Sequence, residues 1–212
     1  MSCCPNDQKF DGASVAYRRA LWAVILINLV MFFVEITAGF ASGSQALKAD
    51  ALDFAGDTLT YAISLFVIGS TLAVRARAAL FKGGLLIVIA TSVLGMTLMR
   101  ALSGEPPVAE TMGIVGFAAL LANLASVFIL LKWRDGDANV RSVWLCSRND
   151  AIGNVGVMTA GGLVAITGSA WPDLIVAFVL AGLFTRSAWS ICNQALAELR
   201  NHKQAGAETG DA

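Results

Sequence analysis

Long apolar stretches, each about the length of a helix that crosses a bilayer, limit this chain to few architectures. Four are nearly free of charge: residues 21–40, 83–99, 112–131 and 171–190. A transmembrane helix needs about 20 apolar residues in a row. Only 14% of the 212 residues are charged and 57% are hydrophobic, which is more apolar surface than a water-soluble fold of this length can bury. The sequence therefore predicts an integral membrane protein.

Two further segments have the length of a span but carry ionisable residues in their first halves. They run from about residue 44 to 68 and from about 140 to 166. With them the prediction is an all-α membrane protein, a six-transmembrane-helix bundle without a soluble domain. Residues 21–192 form the bundle, and residues 1–20 and 193–212 are short cytoplasmic tails.

Basic residues indicate which way the bundle faces. They lie before the first span, in alternate connections and after the sixth span: Lys9, Arg18, Arg19, Arg75, Arg77, Lys82, Lys132, Arg134, Arg141, Arg200 and Lys203. The opposite side has only Lys48 and Arg100. Since cytoplasmic loops are rich in Lys and Arg, both termini are predicted to be cytoplasmic, in a bacterial inner membrane. The 15 basic and 15 acidic residues balance, which gives no argument for a nucleic-acid partner.

Ionisable side chains inside the spans point to a site. A charged group at mid-membrane costs a few kcal/mol, so it normally faces the bundle interior. Asp53 and Asp57 are four residues apart and share one helical face, and Cys146 and Asp150 repeat that spacing. Three carboxylates and a thiolate on two facing helices can form a tetrahedral site for a divalent ion such as zinc.

Structural explanations compete with metal binding. The aspartates could pair with Arg148 or Lys48, and Cys146 taken alone could be a small core residue. Other polar residues that could line the cavity are Asp50, Asn28, Glu35, Asn123, Arg148 and Asn149. We expect Asn28, Glu35 and Asn123 to form interhelical hydrogen bonds. We expect Arg148 either to neutralise the acidic groups of an empty site or to extend to the interface.

Two stretches together are specific for one family. Residues 43–57 read GSQALKADALDFAGD, and residues 146–161 read CSRNDAIGNVGVMTAG. They resemble the G-S-x-A-L-x-A-D-A-x-H-x-x-x-D and H-x-x-x-D-x-x-G-S-V-G-V-x-x-A-G stretches of the cation diffusion facilitator family. The resemblance covers roughly residues 15–195. It implies a six-helix domain that exports divalent transition metals in exchange for protons.

The resemblance also implies which residues bind the metal: Asp53, Asp57, Cys146 and Asp150. The family often has histidine at the positions of Asp53 and Cys146. Thiolate favours zinc or cadmium, whereas a carboxylate-rich set admits cobalt, iron or manganese, so we expect Zn²⁺ or Cd²⁺ as cargo. Asp50 matches the aspartate of the family's A-D-A and is expected in the same cavity. No cofactor is expected.

The family usually carries a cytoplasmic metal-sensing domain after the sixth span, and here about twenty residues follow it. The expectation is therefore a variant without that domain, in which any homodimer is held by the transmembrane helices. Cys3 and Cys4 could capture soft metals near the entrance, although adjacent cysteines in a tail are more often free thiols.

The functional hypothesis is proton-coupled antiport by alternating access. The alternative is a non-transporting membrane metal-binding or regulatory subunit, and a third class is a proton-coupled carrier of a small organic solute. An enzyme is disfavoured, because the thiol near the acidic groups has no histidine beside it to act as a base.

Overall fold

The computed structural model describes residues 14–67, 70–135 and 138–210. All regular elements in these ranges are helical. The helices are α1 (Val15–Ser42), α2 (Gln45–Val67), α3 (Leu72–Ser103), α4 (Ala109–Leu130) with a short 3-10 turn at Leu131–Trp133, α5 (Ala138–Thr167) and α6 (Trp171–Gly210).

Each predicted span corresponds to one of these helices, so the all-α six-helix architecture is confirmed. Three helices are clearly longer than the predicted spans. Helix α1 begins at Val15 rather than at residue 21, α3 begins at Leu72 rather than near residue 83, and α6 continues to Gly210, so α1 and α6 extend into residues expected to form tails. Hydropathy detects only the apolar part of a helix, and a helix can continue beyond the hydrocarbon core. Cys3 and Cys4 lie outside the described residues.

Five helices contain segments long and apolar enough to cross a membrane by length and composition: Val15–Ser42, Ala76–Leu102, Ala109–Trp133, Cys146–Thr167 and Trp171–Ala197. The remaining helix, α2, has 23 residues and is therefore about 34 Å long. Its first half carries Lys48, Asp50, Asp53 and Asp57, which lower its hydropathy. The neighbouring helices bury much of α2, so its polar residues face protein rather than lipid.

Small residues allow neighbouring helices to approach closely. A Cβ added at Gly161 on α5 would lie 3.0 Å from Met112 Cβ on α4, and one at Gly116 on α4 would lie 3.1 Å from Met158 Cγ. A Cβ at Gly83 on α3 would lie only 2.3 Å from Cys192 Sγ on α6. Glycine at these positions brings α4 against α5 and α3 against α6, as in other membrane bundles.

The outer surface of the bundle is apolar. Large hydrophobic side chains more than half exposed include Leu26, Phe33, Phe40, Phe66, Leu98, Phe128, Phe178 and Trp189. In water such a surface would drive aggregation, whereas in a bilayer it contacts lipid chains. The interior holds most of the buried polar residues, among them Glu35, Asp50, Asn123 and Asn154.

Candidate metal centre

The two residue pairs singled out by their spacing face each other where α2 meets α5. The carboxyl group of Asp150 on α5 lies close enough to those of Asp53 and Asp57 on α2 to share a hydrogen bond with either. The Cys146 thiol is within electrostatic range of both α2 carboxyl groups. The fold thus collects four candidate donors, three carboxyl groups and one thiol, at one level of the bundle.

These four donor side chains are at least partly exposed on the surface of the bundle. Cys146 is exposed and Asp53, Asp57 and Asp150 are partly exposed. Within the described ranges, however, no three His, Cys, Asp or Glu side chains are already grouped in a way that could hold a metal ion. Binding an ion therefore requires the four side chains to turn toward one point, which rotation about their χ angles can provide.

Tyr61 is a member of this site that the sequence analysis missed. Its hydroxyl donates to Asp57 Oδ2 and also lies 3.5 Å from the carbonyl oxygen of Val143 on α5. The side chain is only 2% exposed. Tyr61 lies one helical turn beyond Asp57, so the i, i+4 rule that paired the aspartates could have found it. Its hydroxyl fixes the Asp57 carboxylate and links α2 to α5.

Lys82 is the second residue that the sequence analysis did not place here. It was assigned to the connection between the second and third spans, but it lies well inside α3. Its Nζ donates to Ser64 Oγ on α2 at 2.7 Å and is within electrostatic range of Asp57 and Cys146. Lys82 borders the apolar stretch, and nothing in the sequence shows which way it faces.

The cation expected to neutralise the acidic groups points elsewhere. Arg148 is exposed, donates to Asn149 Oδ1 at 3.2 Å and stacks over the Trp144 ring at 5.5 Å. Lys48 lies over the Phe40 ring at 4.7 Å. In the described structure neither cation forms a salt bridge with the site aspartates, so the structural pairing considered above finds no support. Asn149 lines a cleft of about 440 Å³ between α5 and α6, together with Arg186 and Ser190.

Interhelical hydrogen bonds were expected for three polar residues of α1 and α4, namely Asn28, Glu35 and Asn123. Glu35 and Asp50 are both buried, on α1 and α2, and their carboxyl groups are within electrostatic range of each other. Neither Glu35 carboxyl oxygen has a hydrogen-bond partner in the described structure, so the interhelical hydrogen bond expected for Glu35 is not observed. Asn28 was expected to bond between helices, but its Nδ2 donates to the Val24 carbonyl oxygen at 3.0 Å, within α1. A short amide side chain reaches the preceding turn of its own helix more easily than a neighbouring helix. Asn123 is buried on α4.

Asp173, at the start of α6, caps the first turn of α2. Its Oδ1 accepts from Ser44 Oγ at 2.6 Å and from the Ala46 amide at 3.1 Å, and its Oδ2 accepts from the Gln45 amide at 2.7 Å. The side chain is fully buried. The first amides of a helix lack partners within the helix, and a carboxylate satisfies them while favouring the helix dipole. This acidic residue is therefore structural and does not belong to the metal centre.

Comparison with known proteins agrees with this architecture. The family model described as the cation efflux transmembrane domain matches residues 21–72 and 74–200. The zinc transporter ZitB of Pectobacterium atrosepticum is 30% identical over 200 residues, which cover 85% of this chain and 61% of ZitB.

Two other relatives also match most of this chain but a smaller share of their own length. The cadmium, cobalt and zinc/H(+)-K(+) antiporter of Bacillus subtilis is 27% identical over 194 residues, 82% of this chain and 61% of the relative. The metal cation efflux system protein CzcD of Cupriavidus metallidurans is 30% identical over 180 residues, 78% of this chain and 56% of CzcD. The chain thus spans about six-tenths of the length of these relatives.

Proposed function

Since this chain belongs to the cation efflux family, whose transmembrane domain accounts for most of it, we propose that it exports divalent transition-metal ions, Zn²⁺ or Cd²⁺ first, in exchange for protons. Its relatives are transporters rather than enzymes. The observation that carries the proposal is the meeting of Asp53 and Asp57 with Cys146 and Asp150 between α2 and α5.

Exchange with protons follows from the chemistry of the donors. A metal ion binds carboxylates and thiolate only after they have lost their protons, so loading the site releases protons. Protons that enter from the other side of the membrane then compete for the same oxygen and sulfur atoms and displace the ion. The Tyr61 hydroxyl holds the Asp57 carboxylate in position during this exchange.

The preferred cargo follows from the donor set. The Cys146 thiolate is soft and favours zinc and cadmium, whereas three carboxylates leave room for cobalt, iron or manganese. The relatives named for zinc, cadmium and cobalt transport support these three metals as cargo. We also propose that the protein lies in a bacterial inner membrane with both termini in the cytoplasm, and that any homodimer is held by its transmembrane helices.

The deciding experiment is metal uptake into proteoliposomes that contain the purified full chain, with and without an imposed pH gradient. Zinc, cadmium and manganese are compared for the wild type and for Asp150→Asn. The matched control is Asp135→Asn, because the Asp135 side chain is 90% exposed and its ion pair among the described residues is with the neighbouring Arg134. We expect gradient-dependent zinc or cadmium uptake by the wild type and the control, and none by Asp150→Asn.

Other outcomes would select another function. Metal binding without flux would identify a metal-binding or regulatory subunit that does not transport. Proton flux coupled to an organic solute and independent of Cys146 would identify a solute carrier. Equal uptake by Asp150→Asn and the wild type would remove Asp150 from the site.

A further inference from the structure

The ammonium group of Lys82 lies beside the candidate metal centre, although a metal ion does not need it. Its Nζ donates to Ser64 Oγ at 2.7 Å, and it is in electrostatic range of the Asp57 carboxyl and the Cys146 thiol. The side chain is partly buried. Arg148 and Lys48 are turned away, toward Trp144 and Phe40. Lys82 is thus within electrostatic range of Asp57 and Cys146, although it forms no salt bridge with the acidic groups in the described structure. Neutralising these groups was one of the two roles considered for Arg148.

The packing of α3 against α6 sets the direction of this side chain. The neighbouring residue, Gly83, has space for no Cβ, because one would lie 2.3 Å from Cys192 Sγ and 3.4 Å from the Ala188 carbonyl oxygen on α6. This close contact fixes the rotation of α3 about its own axis. Lys82 therefore belongs to α3, whose orientation is set by its packing against α6, whereas the candidate donors belong to α2 and α5.

An empty metal centre leaves a charge problem inside the membrane region. Three carboxyl groups and a thiol converge within the depth of the membrane-spanning helices, and unpaired negative charge is costly there. A divalent ion supplies two positive charges while it is bound. After its release, the charge must be balanced by protons or by a cation that belongs to the protein.

We propose that Lys82 is the resident counter-cation of the metal centre. In the metal-free state its ammonium group offsets one negative charge beside Asp57 and Cys146, and protons offset the rest. In the metal-bound state it repels the divalent ion and so keeps the affinity low enough for release. Lys82 acts as a positioning residue that does not touch the ion, and the inference rests on the proposed function.

The test measures Zn²⁺ and Cd²⁺ binding to the purified full chain by titration calorimetry at one fixed pH, together with uptake into proteoliposomes. For Lys82→Gln we expect the dissociation constant to fall about tenfold or more, because a positive charge near the ion has been removed. KM and the maximal uptake rate should both fall, since tight binding slows release. Lys82→Arg, which keeps the charge, should restore both values to within a few-fold of the wild type.

The matched control is Lys132→Gln. Lys132 is exposed, lies over the Trp133 ring at 5.8 Å and belongs to the turn after α4, so its loss changes the net charge by the same amount away from the site. We expect no change in affinity. Lys82→Met removes the charge without adding a polar group, and should tighten binding as Lys82→Gln does.

The binding and uptake results test the role of Lys82 separately from the proposed transport function. A wild type that binds and transports metal, with unchanged or weaker binding in folded Lys82→Gln, overturns the role of Lys82 and leaves the proposed function intact. If both neutral variants fail to fold and only the arginine variant is recovered, the ammonium serves assembly and the proposal is wrong. A wild type that binds no metal at all ends the proposed function, and this inference with it.

Discussion

Tyr61 shows how a residue outside the candidate donor set can hold a member of that set in position. Its hydroxyl is bonded to Asp57 Oδ2 and faces the Val143 carbonyl oxygen, so the carboxylate cannot rotate freely. Side chains that orient a metal ligand commonly account for about 10–100-fold in affinity. Asp173 is instead a helix cap, because both of its carboxyl oxygens accept hydrogen bonds from residues at the start of α2.

Tyr61→Phe should weaken zinc binding about tenfold while leaving the helical fold intact, because the change removes the bond to Asp57 and the long contact with the Val143 carbonyl oxygen but keeps the buried ring. Titration calorimetry of the purified chain checks this. Thr60→Val is the control, since the Thr60 hydroxyl bonds only to carbonyl oxygens of its own helix. Equal affinities for the two variants would show that Tyr61 does not position the ligand.

Asp173→Ala should lower the free energy of unfolding by about 1–2 kcal/mol, because the amides of Gln45 and Ala46 lose their acceptor in a buried place. Denaturant titration in detergent micelles measures the loss. Asp135→Ala, at an exposed position, should cost little. A loss of metal affinity without a loss of stability would instead assign Asp173 to the metal centre.

Cys146→Ser should reduce cadmium affinity more than manganese affinity, because the change replaces a soft sulfur donor by a hard oxygen and manganese does not prefer sulfur. Competition titrations with the two ions give the ratio. An equal effect on both metals would mean that the thiol does not contact the ion.

At the level of helices, the sequence was informative wherever a regular spacing or a run of apolar residues carried the signal. The apolar runs predicted the spans, and the i, i+4 spacing predicted that Asp53 and Asp57 share a face, as Cys146 and Asp150 do. The rotation of α3 could not be predicted, because the contact of Gly83 with Cys192 on α6 is distant in sequence. For that reason Lys82 was taken for a loop residue, and the role of counter-charge was considered for Arg148.

Gly83→Ala should destabilise the bundle by about 1–3 kcal/mol, since its Cβ would overlap Cys192 Sγ on α6. Gly84→Ala is the control, because a Cβ there meets nothing within 4 Å, and alanine is the better helix former. Unfolding free energies of the two variants are compared directly. Cys192→Ala in the Gly83→Ala background should recover part of the loss, and no difference between the glycine variants would contradict the close packing of α3 and α6.

The whole molecule combines an outer surface suited to lipid with an interior that holds its acidic groups. Because the candidate donors come from two helices, a bound ion would link α2 to α5 and stabilise the bundle as a unit. That the two pairs face each other was a hypothesis from their matching i, i+4 spacing, and the resemblance to a known family supported it. Composition could predict a membrane protein, but it could not show that the donors remain partly exposed.

A free zinc concentration about one hundred times the dissociation constant should therefore raise the free energy of unfolding of the wild type by about 2.7 kcal/mol. A chelator should reverse this gain. Thermal unfolding in detergent, with and without the ion, follows the effect. Asp150→Asn should lose the stabilisation and Asp135→Asn should keep it. A gain that survives in Asp150→Asn would indicate that the ion binds elsewhere.

The cap formed by Asp173 has a mechanical consequence. It attaches α6 to the first turn of α2, so a swing of α6 relative to α2 turns about that attachment. At 1.5 Å per residue, the lever arm is about 12 Å at Asp53, about 28 Å at Ser64 and about 34 Å at the far end of α2. A swing of about 10° would displace these levels by about 2, 5 and 6 Å. Of these three levels, the one at Asp53 would move least, whereas Ser64, which accepts the hydrogen bond from Lys82 Nζ, would move more than twice as far.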